Sequence, residues 1–456
     1  MRVFYMRKLW YENAFIYHFF TFGVCNAPFK NPYGPIQYRI YEIEKWIPHL
    51  KKLNVNAVLF SPVFESRSHG YDTTDYYQLD SRIGDNESFL HVIDTLHNNG
   101  IRVILDGVFN HCGRDFFAFQ DLLTNGRNSK YREWFAGLDF SSSSPLNDPF
   151  SYATWNGYYE LPKFNLNHPE VVDYLLDVVS YWISYFHIDG LRLDAADCLT
   201  PAFMCALRQK TIAQKEDFWL MGEVVHGDYR NWVKADALHS VTNYEIFKGL
   251  YSSHNDQNLF EIAHSLHREF DRMEGRYGYF LPYNFVDNHD QNRLASLVEE
   301  SSYLYTIYLL LFTIPGIPSL YYGSEWGIKG EKTVDSDLPI RPYLDIEKIM
   351  PMEDNLENVI QTLSQIRMEQ AALFAGDYKQ VSIAYQAPFV FERRYKEQQI
   401  VVVINATQKE HFLDLSMYQG TSFFDLLNKE SIPSSELNHV KIHPSWGRIL
   451  LAQITE

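Results

Sequence analysis

A chain of 456 residues with 57 acidic against 40 basic side chains, and a formal charge of −17, is a poor partner for nucleic acid or an anionic membrane. At 46% hydrophobic and 21% charged the composition is globular, and the length suits one large barrel-type domain with accessories. Aromatic residues make up 16% of the chain, a surplus that suits a cleft for flat, weakly polar faces such as sugar rings.

Residues 1–8 are basic and an apolar stretch follows, but Glu12, Asn13 and His18 interrupt it. No small-x-small cleavage site stands out, so a first core strand at 15–20 is expected rather than a signal peptide. Residues 40–53 have the apolar spacing of a helix, and 55–60 read as a second strand stopped by Ser61-Pro62. A helix at 89–97 is closed by Asn98-Asn99-Gly100, and a third strand at 101–105 runs into Asp106. From Cys112 to about His168 the periodicity fails. That stretch reads as an inserted lobe with Trp134, Phe140, Trp155, Tyr158 and Tyr159 as its small core and a solvated serine run at 141–144. Helix 170–186 starts just after Pro169 and feeds a fourth strand at 190–193. A helix at about 201–215 and strands at 218–222 and 236–243 follow. Then come a helix at 259–273, a strand at 283–287, a long apolar helix at 293–312, a strand at 317–322 and a last helix at 355–373. From about Gly376 short strand-like segments alternate with turns.

The expected fold is α/β: a (β/α)8 TIM barrel from residues 1–111 and 169–375, an inserted lobe at 112–168, and a C-terminal antiparallel β domain at 376–456. No stretch is long and apolar enough to span a bilayer. Cys25, Cys112, Cys198 and Cys205 lack metal-site spacing and read as free thiols of a reducing compartment, so a cytoplasmic location is expected.

The fourth strand carries the chemistry. Arg192 and Asp194 are two apart, so on a strand they leave from one face. Burying either charge alone costs several kcal/mol, so they must be paired or used. Asp194 and Glu223 are 29 residues apart, about one βα unit; Glu223 and Asp290 are 67 apart, about two; Asp106 and Asp194 are 88 apart, one unit plus the lobe. All four acids therefore fall at C-terminal ends of barrel strands, where barrel active sites are built. Any one of them could be a helix N-cap. Four at equivalent places, with His111, Arg192 and His289 beside them, exceed what capping explains.

Convergent carboxylates suit retaining glycoside cleavage, which needs an ionised nucleophile and a protonated acid. Arg192 is expected to keep Asp194 ionised as nucleophile. Glu223, ending an apolar strand between two aspartates, is expected to have a raised pKa as proton donor. Asp290 would hold sugar hydroxyls and stabilise an oxocarbenium-like transition state, with His111 and His289 as hydrogen-bond donors.

Four segments, Asp106-Gly-Val-Phe-Asn-His111, Gly190-Leu-Arg-Leu-Asp-Ala-Ala-Asp197, Gly222-Glu-Val224 and Phe285-Val-Asp-Asn-His-Asp290, resemble in order the short motifs of the α-amylase family of glycoside hydrolases. The resemblance covers roughly the first four-fifths of the chain. It implies Asp194 as nucleophile, Glu223 as acid/base and Asp290 as transition-state stabiliser. It also implies Arg192, His111, His289 and Tyr71 around the sugar in the cleaved subsite, with Asp72 as nearby support. Arg341, in Leu338-Pro-Ile-Arg-Pro342, looks like the family's late arginine. Leu161-Pro-Lys-Phe-Asn165, and Gly222-Glu-Val-Val-His226 followed by Trp232, are similar to the cyclomaltodextrinase, neopullulanase and maltogenic amylase group. That likeness implies maltooligosaccharides, cyclodextrins or related α-glucans as substrate.

The chain also departs from that group. Its barrel is expected to start almost at once, without the N-terminal domain the group uses to build its dimer. Val225 stands where the group tends to have Trp, Ser324 where an Asp is usual, and Cys198 where many α-amylases present a His carbonyl to calcium. Asn110 matches another calcium-ligand position, but one oxygen falls short of the six to eight that Ca²⁺ takes. No cofactor is therefore required, and calcium stays an option. A transglycosylase or isomerase of α-glucosides would share the three acids. A non-catalytic glucan-binding protein would be expected to have lost at least one.

Overall fold

The computed structural model describes residues 9–453; the basic residues 1–8 and residues 454–456 lie outside the described residues. Eight short parallel strands form the central sheet: β1 (Ile16–Phe19), β2 (Ala57–Phe60), β3 (Arg102–Gly107), β4 (Gly190–Leu193), β5 (Trp219–Gly222), β6 (Ser240–Val241), β7 (Tyr283–Asn284) and β8 (Ile317–Tyr321). Their order is β6-β5-β4-β3-β2-β1-β8-β7. A parallel bridge between Thr242 and Tyr283 joins the two ends, so the sheet closes into the expected (β/α)8 barrel.

The strands are apolar on both faces because each face meets a core. Ile16, Ala57, Leu59, Ile104, Trp219, Met221 and Ile317 point inward and fill the barrel. Their neighbours Tyr17, Val58, Phe60, Val103, Leu105 and Leu220 point outward onto the helices. Strand alternation separates these two sets. The same alternation, with Asp106 in register opposite Arg192, turns both charged side chains inward at the top of the barrel.

Several elements differ from the sequence reading. Helix Tyr244–Asn255 was not expected; it starts where the Asn243 side chain accepts a hydrogen bond from the Ile246 N–H. The long helix at 293–312 is two helices, Leu294–Leu297 and Tyr303–Thr313, because Val298 is extended and the Glu299 N–H goes to Asn255 Oδ1. The last helix likewise breaks at the extended Gln370, giving Leu356–Glu369 and Ala371–Ala375. β6 and β7 hold two residues each, far fewer than expected.

The lobe between β3 and helix Pro169–Phe186 has a different core from the one read in the sequence. Phe116, Phe119, Phe135, Phe150, Tyr152 and Phe164 are buried there, with Trp134. Phe140, Trp155 and Tyr159 are half-buried and Tyr158 is 58% exposed. Trp155 and Tyr158 flank a two-residue turn, Asn156 and Gly157, both at positive φ, which projects the two rings. Ser144 is buried rather than solvated and donates to Asp148, which also binds Arg114.

The C-terminal part is a six-stranded antiparallel sheet, Asp377–Ser382 beside Phe389–Tyr395, Gln398–Asn405, Trp446–Gln453, Ser422–Asp425 and Glu430–Ile432. A buried arginine of the sheet ties it to the barrel: Arg393 donates to the carbonyls of Thr313, Gly376 and Asp377.

Candidate active site

β3, β4 and β5 each deliver a carboxylate to the C-terminal rim: Asp106 within β3, Asp194 just after β4 and Glu223 just after β5. Gly222 sets the last of these, since a Cβ there would lie 2.5 Å from Leu238 and 2.7 Å from Ala196. Arg192 joins all three acids. One terminal nitrogen lies 2.8 Å from both Asp106 oxygens and 3.0 Å from Asp194 Oδ1; the other lies 2.8 Å from Glu223 Oε2. Ala195, held in the left-handed region at φ 43°, aims its N–H at Glu223 Oε2 at 3.2 Å. One guanidinium and one backbone turn thus fix Asp194 and Glu223 relative to each other.

Shared in this way, Arg192 does not hold the Asp194 carboxyl low, which corrects the expectation that it keeps Asp194 ionised. Burial pushes the Asp194 carboxyl well above the usual range despite Arg192, and the charges of Glu223, Asp106 and Asp290 add to the rise. Asp106 is also raised, by burial against the pull of Arg192. Three acids around one cation hold more negative charge than it offsets, which adds to the rise of Asp194 and Asp106.

Asp290, in the loop after β7, behaves oppositely. Burial alone would raise it, but His289 at 2.9 Å, Arg341 at 2.9 Å and the more distant Arg192 hold its carboxyl well below the usual range. Arg341 also donates to the His289 carbonyl and pairs with Asp337, a partner the sequence did not point to.

Tyr71 covers the floor between these groups. Its hydroxyl donates to Asp106 Oδ2 at 3.0 Å, and its ring stacks on His289 with centroids 5.5 Å apart. Burial pushes its phenol well up, so it stays neutral. Asp72 faces away from this cluster and accepts from the Ser68 N–H and hydroxyl, bracing the loop that carries Tyr71. His111 is buried next to Trp155, with ring centroids 5.8 Å apart. Burial pushes its pKa down to about 3, so the ring is neutral, and its Nε2 has no hydrogen-bond partner among the described residues. Tyr244, on the unexpected helix, lies 3.4 Å from Glu223 Oε1.

The departures have physical readings too. Ser324 donates to Asp287 Oδ2 at 2.7 Å, so a hydroxyl stands beside a buried carboxylate where a second acid would repel it. Val225 is 36% exposed beside Glu223, and Cys198 is exposed. Asn110 turns its Nδ2 to His111 Nδ1, leaving Oδ1 buried without a hydrogen-bond partner among the described residues. Among the described residues no group of three or more His, Cys, Asp and Glu side chains is placed to hold a metal ion. No helix among them is long and apolar enough to cross a membrane.

A parallel barrel whose C-terminal rim gathers carboxylates around an arginine defines an enzyme that works by carboxylate and acid–base chemistry. The family model described as "Alpha amylase, catalytic domain" matches residues 42–365, and "Maltogenic Amylase, C-terminal domain" matches residues 379–444. The chain belongs to the α-amylase family of glycoside hydrolases. It is 33% identical over 415 residues to a cyclomaltodextrinase of Thermoanaerobacter pseudethanolicus, covering 89% of this chain and 69% of that protein. It is 30% identical over 415 residues to an intracellular maltogenic amylase of Bacillus subtilis, covering 89% and 68%. A solved cyclomaltodextrinase superposes with a TM-score of 0.84 at 27% identity, covering 97% of this chain and 78% of that one.

Proposed function

We propose that this chain is a retaining α-glycosidase that hydrolyses α-1,4-glucosidic bonds in maltooligosaccharides, cyclodextrins or related α-glucans. The observation that carries the reading is the bridging of Asp194 and Glu223 by one arginine on adjacent strands. Relatives named for cyclomaltodextrin and maltogenic activity support the substrate class. Asp194 Oδ1 is held by Arg192, and Oδ2 has no hydrogen-bond partner among the described residues, which leaves Oδ2 to attack the anomeric carbon. Glu223 gives its proton to the departing glycosidic oxygen. In the second half Glu223 takes a proton from water, the water oxygen bonds to the anomeric carbon, and Asp194 leaves. Asp290, kept ionised, holds ring hydroxyls and offsets positive charge developing on the sugar. The neutral His111 offers its Nε2 to another hydroxyl.

The test is the anomer formed first. On maltotriose followed by proton NMR, the α-anomer is expected to appear before mutarotation; initial release of the β-anomer would overturn retention. A product profile over starch, pullulan and β-cyclodextrin then fixes the glucan.

Trp155, half-buried with its ring near His111, offers a stacking face to the sugar. Trp155→Ala is expected to raise KM by about 5- to 10-fold with a smaller change in kcat. Equal loss in both would place the ring in catalysis instead. No cofactor enters these steps. Dialysis against EDTA is expected to leave kcat and the melting temperature unchanged, and restoration of either by Ca²⁺ would give the orphaned Asn110 oxygen a cation partner. An intracellular setting suits four free thiols and the intracellular Bacillus relative.

A further inference from the structure

The two oxygens of Glu223 are not equivalent. Oε2 is taken by the Arg192 guanidinium at 2.8 Å and the Ala195 N–H at 3.2 Å, both donors only. A proton on Oε2 would face two donors. Among the described residues the one hydrogen-bond partner of Oε1 is the Tyr244 hydroxyl, at 3.4 Å. A phenol both donates and accepts, so it tolerates either state of the carboxyl. We infer that Oε1 is the proton-delivering oxygen and that Tyr244 is a positioning residue for it, donating to the carboxylate and accepting from the acid.

The segment that holds Tyr244 is built to fix it against Glu223. The Thr242 hydroxyl accepts from the Val224 N–H at 2.9 Å and donates to the Val224 carbonyl at 3.1 Å, gripping the residue next to Glu223. Asn243 is fully buried; its Nδ2 donates to Glu269 Oε2 and Asn284 Oδ1, and its Oδ1 caps the helix that begins at Tyr244. Burial pushes the Glu269 carboxyl that anchors Asn243 well up. Burial and the neighbouring acids do the same to the Tyr244 phenol, which also lies by Asn288. Three consecutive residues thus lock β6 to the acid/base, and the mechanism above uses none of them.

The inference rests on Glu223 as acid/base. The charged and titratable groups facing Glu223 are Arg192, Asp106, Asp194 and Tyr244. Of these, Tyr244 is the one uncharged group, and Phe removes its hydroxyl alone. A donor to the carboxylate favours its ionised form, so removing it raises the pKa. In Tyr244→Phe the alkaline limb of kcat/KM is expected to move up by about 0.5–1 pH unit. Activity on maltotriose, whose leaving group needs a proton, is expected to fall about 10-fold. A 4-nitrophenyl maltoside, whose leaving group does not, should be cleaved at nearly the original kcat/KM. An unmoved limb, or equal losses on both substrates, would overturn the assignment. Glu223→Gln separates the two failures. If it spares maltotriose, the acid/base reading fails and Tyr244 with it. If it discriminates between the leaving groups while Tyr244→Phe does not, the Tyr244 assignment alone falls.

Discussion

Asp194→Asn is expected to lower kcat/KM on maltooligosaccharides by about 10⁴-fold or more, while the protein melts at a higher temperature than the wild type at pH 7. The kinetic loss follows from removing the only oxygen in the cluster that is both fixed by Arg192 through its twin and free to attack. The stability gain follows from burial. A carboxyl whose folded pKa is raised above its unfolded value stabilises the fold below the unfolded pKa, and that contribution is lost as pH rises through the folded pKa. At pH 7 the buried Asp194 carboxyl therefore contributes less to folding than it does in acid, and the amide, which has no charge to bury, relieves that difference. The difference should shrink as the buffer is acidified and the wild type takes up its proton. Melting curves at pH 7 and pH 5 check it; a variant less stable at both would mean that Arg192 over-compensates the buried charge.

Arg192→Leu carries the second large effect, in the opposite direction. It strips the shared cation from Asp106, Asp194 and Glu223, two of them buried and the third at their edge. Breaking a buried pair from one side costs about 3–5 kcal/mol, because the stranded charges keep their desolvation penalty. Without the guanidinium the folded-state pKa values of Asp106 and Asp194 rise further. Their contribution to stability is then present at low pH and lost as pH rises through those values. The deficit measured by urea denaturation should accordingly be largest at neutral pH and narrow towards pH 5. Equal deficits at the two pH values would reduce Arg192 to a packing role. Activity should be lost at both.

The rim acids were legible in the sequence because βα units have a nearly fixed length, so spacing put Asp106, Asp194 and Glu223 at strand ends and Asp290 near the end of the short β7, in the loop that follows it. The sharing of Arg192 was not legible, since it depends on the register that sets Asp106 beside Arg192 across β3 and β4. Tyr244 was missed because β6 is only two residues long and its helix starts at once; the available signal was Asn243 as an N-cap before Tyr-Glu-Ile-Phe. Uniform hydrophobicity hid the break between Leu297 and Tyr303, although Glu299-Glu300-Ser301-Ser302 marks it. The lobe has no period to read, so its aromatics could be counted but not assigned to inside or outside. Trp155 and Tyr158, read as core, sit on a turn, and the turn's Asn-Gly was the clue.

The closure of the barrel between β6 and β7 has a consequence for how the enzyme fails. A ring of eight strands is as durable as its thinnest join, and among the described residues this join is a single backbone bridge reinforced by the amides of Asn243 and Asn284 and by the Ser240 hydroxyl on the Leu281 carbonyl. Local opening there breaks few hydrogen bonds, so its amides should exchange with deuterium ahead of those in β2 to β5. Thr242 and Tyr244 hang from that join, the first gripping Val224 next to Glu223 and the second reaching Glu223 itself. On warming, the site should therefore lose its alignment while the helices are still intact, and heat inactivation should precede melting.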